Sequence, residues 1–318
     1  MTLEASYQKN HFAFGALTTL FFLWGFATVC NDILIPFFKE QFDLTHSKAN
    51  LVQTYFFGAY VVGALIYSLI SMFWRDPINR IGYKNGIVLS LMISCTGALL
   101  FYPAADMKSL PMFFFALGVL GFGFSWLQIA ANPYVTILGP EKTASSRLNL
   151  SQGFNSLGTT LAPYIWGYLI FEVLSKTTDG VDAVKMPYLT LAGVFFAMAI
   201  VIFFIKLPKF VSQEDPVTDA GALRYPHLLL GALAIFMYVG SEVTIGSNMI
   251  SFLKLDSIAG MTEGEASKFL SVYWGGLMIG RITGSLSMSN ASRIVKNIGI
   301  LALPLLAFII MGFISGWN

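Results

Sequence analysis

The chain has 318 residues, 56% of them hydrophobic and 11% charged, with a formal net charge of +2. A soluble domain carries about a quarter charged residues, so this composition excludes an ordinary soluble globule. The slight positive excess, with no basic patch interleaved with aromatics, excludes a nucleic-acid binder.

Nine stretches each supply the ~20 mostly apolar residues that a helix needs to cross a hydrocarbon core. They lie near 12–38, 49–72, 85–104, 111–138, 147–172, 187–207, 226–250, 266–288 and 298–316. The expected class is therefore an all-α polytopic membrane bundle. The first stretch is too long for a cleaved signal sequence and lacks a small-residue cleavage site before the next polar loop, so it reads as a permanent helix.

In helix 1, Trp24, Thr28 and either Asn31 or Asp32 share a face. Pro36 follows Asp32 by four residues and removes the donor that would bind its carbonyl. In helix 4, Ser125, Gln128, Asn132 and Thr136 form a stripe, and Pro133 frees the carbonyl of Ile129. Helix 5 carries a second stripe of Asn149, Gln152, Asn155 and Thr159. Residues 208–225 form the longest polar linker and divide an N-terminal six-helix bundle, 1–207, from 226–318, which holds three helices. In helix 7, Tyr238, Ser241 or Glu242, and Asn248 share a face.

An internal repeat supports that division. At a constant offset of 217, Thr45 meets Thr262, Ala49 meets Ala266, Gly58 meets Gly275 and Gly63 meets Gly280. Both threonines sit where a helix N-cap is wanted. If each half has six helices, three are missing after Asn318, and the expectation is a truncated chain. With the N-terminus in the cytoplasm, twelve Lys and Arg fall on inside segments and seven on outside ones, which favours that orientation.

Two acids lie within spans, Asp32 and Glu242, neither with a basic residue three or four positions away. An ionised side chain at mid-bilayer costs about 2.5–3.5 kcal/mol on insertion scales, so each needs a partner from another helix, a ligand, water or a proton. Interhelical hydrogen bonding alone could use the amide stripes. Four such stripes beside opened backbone suit a wet central cavity better. Amides supply forked donors and acceptors for sugar hydroxyls, and Trp24 an aromatic face for the C–H side. The candidate substrate-binding residues are Trp24, Asn31, Gln128, Asn132, Gln152 and Asn155; Asp32 and Glu242 are candidates for cation coupling. A phosphate-binding GxxxxGK[ST] loop, HExxH, GxSxG and CxxC are all absent. The expectation is a non-enzyme without cofactor or metal, its coupling ion H+ or Na+. Cys30 and Cys95 read as buried small hydrophobes.

The segment 20–171 resembles the fucose–galactose–glucose symporter family of the major facilitator superfamily. The resemblance rests on LFFLWGF and NDILIP in helix 1, NRIGYKNG after helix 2, QIAANPYVTILGPE in helix 4 and its loop and RLNLSQGFNSLG in helix 5, and YVGSEVTIG in helix 7 continues it into the second half. It implies twelve helices in two bundles that rock about a central site, taking up a hexose with a cation, as a monomer in the bacterial inner membrane. It makes Asp32 similar to the coupling carboxylate and aligns Trp24, Gln152 and Asn155 with sugar-site positions. Gln128 stands where the L-fucose/proton symporter has a glutamate; an amide cannot carry a proton, so the glucose/galactose or N-acetylglucosamine branches are the nearer likeness. The loop after helix 2 is similar to the superfamily's gating motif, with Asp76, Asn79, Arg80 and Gly82 as its elements and Arg281 as the matching element of the second half. A sugar sensor and an inactive truncated fragment are the alternatives.

Overall fold

The computed structural model describes residues 3–74, 76–178, 180–205 and 224–314, and among these every regular element is helical. Nine long helices organise the chain: α1 Leu3–Gln41, α2 Leu51–Phe73, α3 Tyr83–Leu99, α4 Leu110–Ile137, α5 Ala144–Gly167, α6 Lys185–Phe204, α7 Pro226–Leu253, α8 Glu263–Ser287 and α9 Arg293–Ile314. Eight of the predicted spans contain helices long and apolar enough to cross a membrane. The ninth, α8, has 25 residues, and its many Gly and Ser lower its hydropathy. At 1.5 Å per residue it is still about 37 Å long. The predicted linker at 208–225 lies outside the described residues except for its last two.

Local chemistry explains the starts of several elements. Thr45 caps the short helix His46–Ala49, accepting from the Lys48 amide at 3.4 Å, and Thr262 forms a reciprocal capping box with Glu265 at the start of α8. The repeat-related threonines thus do the same job. Asp76 caps the short helix Pro77–Ile81, accepting from the amides of Ile78 and Asn79 and from the Tyr67 hydroxyl. Gly82 follows at φ +82°, where a side chain would be strained. Both α1 and α4 run unbroken through Pro36 and Pro133. After α5 the chain continues as a π-helix, Tyr168–Leu174.

The most extensive packing joins α1 to α5, α5 to α8, α3 to α4, α2 to α4 and α3 to α6. The α1–α5 crossing depends on two glycines. A Cβ at Gly25 would lie 2.1 Å from the Asn155 carbonyl oxygen, and one at Gly158 2.2 Å from that of Phe22. Such backbone-to-backbone approach is how helices associate where hydrocarbon removes the hydrophobic drive.

The seam between α1–α6 and α7–α9 has two parts. Along α5 and α8 the contact is continuous: Ser146 and Ser285 each donate a hydroxyl to the other's carbonyl at 2.9 Å, and Gly167 packs on Ser267 at the opposite end. Between α1 and α7 it is confined to the end that carries Lys254. There α7 buries Gly246, Ser247 and Ile250, whereas its residues 228–239 are exposed.

Candidate functional site

A polar column follows this seam. Nearest the Lys254 end, Asn248 Oδ1 accepts from Asn50 Nδ2 at 3.2 Å and lies 2.9 Å from His46 Nε2. Lys254 bridges Glu40 of α1 at 3.3 Å and Glu263 of α8. Burial works against the Lys254 ammonium, but these two carboxylates outweigh it and hold its pKa above the ordinary lysine value.

One layer deeper sits Asp32, 4% exposed. Its Oδ1 accepts from Gln53 Nε2 at 2.6 Å and from Ser247 Oγ at 3.1 Å. Gln53 belongs to α2, in the same half as Asp32; Ser247 belongs to α7, across the seam. No ion pair reaches Asp32 among the described residues. Asp32 is thus buried and hydrogen-bonded but has no ion-pair partner among the described residues. Gln53 Oε1 is buried without a partner among the described residues, so the layer also holds an unspent acceptor. Asn31 is fully buried, and neither atom of its amide finds a partner among the described residues.

Toward the Asp76 end the column continues as a chain of side chains from four helices. Gln152 Nε2 donates to Asn132 Oδ1 at 3.2 Å, and Arg281 Nη1 donates to Gln152 Oε1 at 3.2 Å. Arg281 Nη2 lies 3.6 Å from Glu242 Oε1, while Glu242 Oε2 is buried without a partner among the described residues. The Tyr273 hydroxyl donates to the Glu242 carbonyl at 3.0 Å. Trp24 of α1 is 8% exposed, its indole N–H donating to the Tyr60 hydroxyl at 2.8 Å.

The structure sorts the sequence-predicted residues. It brings Asp32, Glu242, Asn132 and Gln152 to the seam in two bonded groups. Asn155 spends an amide hydrogen on the Phe21 carbonyl at 3.0 Å, which is helix packing rather than an open ligand contact. Gln128 is exposed and makes no side-chain hydrogen bond among the described residues. Arg281, the expected second-half counterpart of the loop at Asp76, lies inside α8 and directs its guanidinium to Gln152 and Glu242. Within that loop, Asp76 and Gly82 set the backbone, Asn79 offers its amide to Asp76, and Arg80 is exposed. Sequence reasoning missed Gln53 and Ser247. Gln53 is an amide inside an apolar span and could have been flagged on that ground; a serine in a helix carries no such signal.

Residues 15–318 match the family described as Major Facilitator Superfamily. The chain is 45% identical over 291 residues to a protein named glucose/galactose transporter from Brucella abortus, covering 90% of this chain and 69% of that one. It is 40% identical to a putative glucose/galactose transporter of Helicobacter pylori, covering 97% and 75%. Its fold matches a crystal structure of the E. coli fucose:proton symporter with TM-score 0.69 and 28% identity, over 94% of this chain and 81% of the other.

Proposed function

This chain belongs to the major facilitator superfamily, and from that premise we propose that it carries a hexose across a membrane with a cation bound at Asp32. It is a multi-pass membrane protein and a sugar transporter, not an enzyme. The proposed substrate is glucose, galactose or a related hexose. The proposed setting is the inner membrane of a bacterial cell, with the N-terminus inside and the chain working as a monomer. In that orientation the Lys254 end faces out and the Asp76 end faces in.

One observation carries the coupling: Asp32 is buried at the seam with hydrogen bonds from both halves and no cationic partner among the described residues. An uncompensated carboxylate at that depth favours capture of a positive charge. Either a proton or a sodium ion satisfies the same electrostatics. The sugar would lie on the Asp76 side of this layer, where Asn132, Gln152, Arg281 and Glu242 alternate donors and acceptors and Trp24 offers a ring. A concave site with a few placed polar groups is the usual form of a small-molecule pocket.

The test is Asp32→Asn in proteoliposomes. The variant keeps the shape and the acceptor oxygen but cannot take a charge. Sugar exchange at equal concentrations is expected to persist within about threefold, and gradient-driven accumulation to vanish. Running the parent with a proton gradient alone and then a sodium gradient alone identifies the ion. Accumulation by Asp32→Asn equal to the parent's would overturn the assignment.

A further inference from the structure

Three consecutive residues of α7 touch the other half of the seam or seat the helix against it, each differently. Gly246 lets the Trp274 ring pass beneath it; a Cβ there would lie 2.8 Å from a ring carbon and 3.6 Å from Asp32 Oδ2. Ser247 donates its hydroxyl to Asp32 Oδ1 at 3.1 Å. Asn248 takes the Asn50 amide and faces His46. Apart from Ile250, the buried residues of α7 belong to this tripeptide. The closure of the α1–α7 seam at the Lys254 end therefore runs through it.

We propose that Ser247 is the positioning residue that makes the cation affinity of Asp32 differ between the two states of the carrier. The inference rests on the reading of Asp32 as the coupling carboxylate and on the orientation given above. A hydrogen bond to an ionised carboxylate is roughly twice as strong as one between neutral groups. Closing the Lys254 end brings the Ser247 hydroxyl onto Asp32 and stabilises its cation-free form. Opening that end removes the bond, and the carboxylate binds a cation more tightly. By linkage, a cation on Asp32 favours the open seam and its departure favours the closed one. An ion is thus captured from outside and expelled inside. Gln53 lies in the same half as Asp32 and moves with it, so its bond is present in both states and cannot discriminate. Other titratable or charged groups around this end are Cys30 of α1, Tyr273 of α8, His46, and the Glu40–Lys254–Glu263 cluster.

The experiment compares Ser247→Ala and Ser247→Thr in proteoliposomes, varying the internal coupling ion, whether protons or sodium. For each variant, exchange at saturating cation is measured alongside as the reference for the internal-cation effect. In Ser247→Ala the internal cation concentration that half-inhibits net uptake falls about tenfold, within the usual range of coupling between sites, and Thr restores it. Ser247→Ala with unchanged internal-cation sensitivity overturns the proposal, as does loss of exchange in both Ser247 variants, which would make the hydroxyl a folding element. Retained accumulation by Asp32→Asn instead overturns the underlying reading, whatever Ser247 does.

Discussion

Glu242 and Arg281 show how one residue's role depends on its neighbours' reach. The carboxylate of Glu242 is 9% exposed, so without Arg281 it would be a nearly buried charge. Breaking a buried pair by removing one partner costs about 3–5 kcal/mol. Arg281 is 28% exposed, which lowers that figure through solvent screening. Arg281→Gln is expected to lower the melting temperature in detergent and to raise the sugar KM, because Gln152 also loses its donor. The double variant Glu242→Gln/Arg281→Gln recovers most of the stability without recovering the KM. Additive losses in both readouts would show that the pair does not act as a unit. Asp32 and Glu242 were legible as candidate sites because charge in an apolar span needs an explanation. The partner of Glu242 was not, since spacing along one helix says nothing about which other helix faces it.

Helix 1 and helix 5 meet through glycines, and this sets how closely the seam's polar residues are held. Gly25→Ala or Gly158→Ala inserts a methyl against backbone that cannot rotate away. Overpacking of this kind costs about 1–3 kcal/mol, so both variants should melt several degrees below the parent. Gly15 lies on α1 as well, but an added Cβ meets nothing within 4 Å. Gly15→Ala is the control and should leave the melting temperature unchanged. Equal effects at Gly15 and Gly25 would remove close packing as the cause. The capping threonines were readable from sequence because a cap is local chemistry, within four residues. The glycine contacts were not, since Gly abounds in membrane helices and only the crossing point shows which ones are pressed against backbone. The prolines mark another limit. Each removes a ladder hydrogen bond beside a polar side chain, yet both helices continue, because the loss of one donor does not dictate a break when neighbouring helices hold the segment.

The whole molecule is closed at one end of the α1–α7 seam, and a small set of exposed charges contributes to that closure. Lys254 is 35% exposed and Glu40 57%, so their bridge is worth at most about 1 kcal/mol. Lys254→Gln should therefore shift the population open at this end by no more than about fivefold. The reaction rate of an Asn50→Cys thiol with an impermeant maleimide added outside measures it. High salt should reproduce part of the increase in the parent, since screening acts on the same pair. A rate unaffected by both changes would show that the Ser247 hydrogen bond and the His46–Asn248 contact, both kept in the Asn50→Cys background, hold the end shut without the ion pair.

The sequence by itself determined the class of the protein and most of its spans, because a hydrocarbon solvent leaves apolar helices as the available answer for such a composition. It also picked out Asp32, the amide stripes of helices 4 and 5, and the threonine caps, since these follow from burial cost and from interactions a few residues long. Tertiary structure alone decided that Asp32 is bonded from both halves, that Asn155 is spent on α1, that Gln128 is exposed, and that Arg281 belongs to the interior column. Those are contacts between helices up to 215 residues apart in the chain. Helical periodicity fixes the direction of a side chain around its own axis but not the helix that comes to meet it.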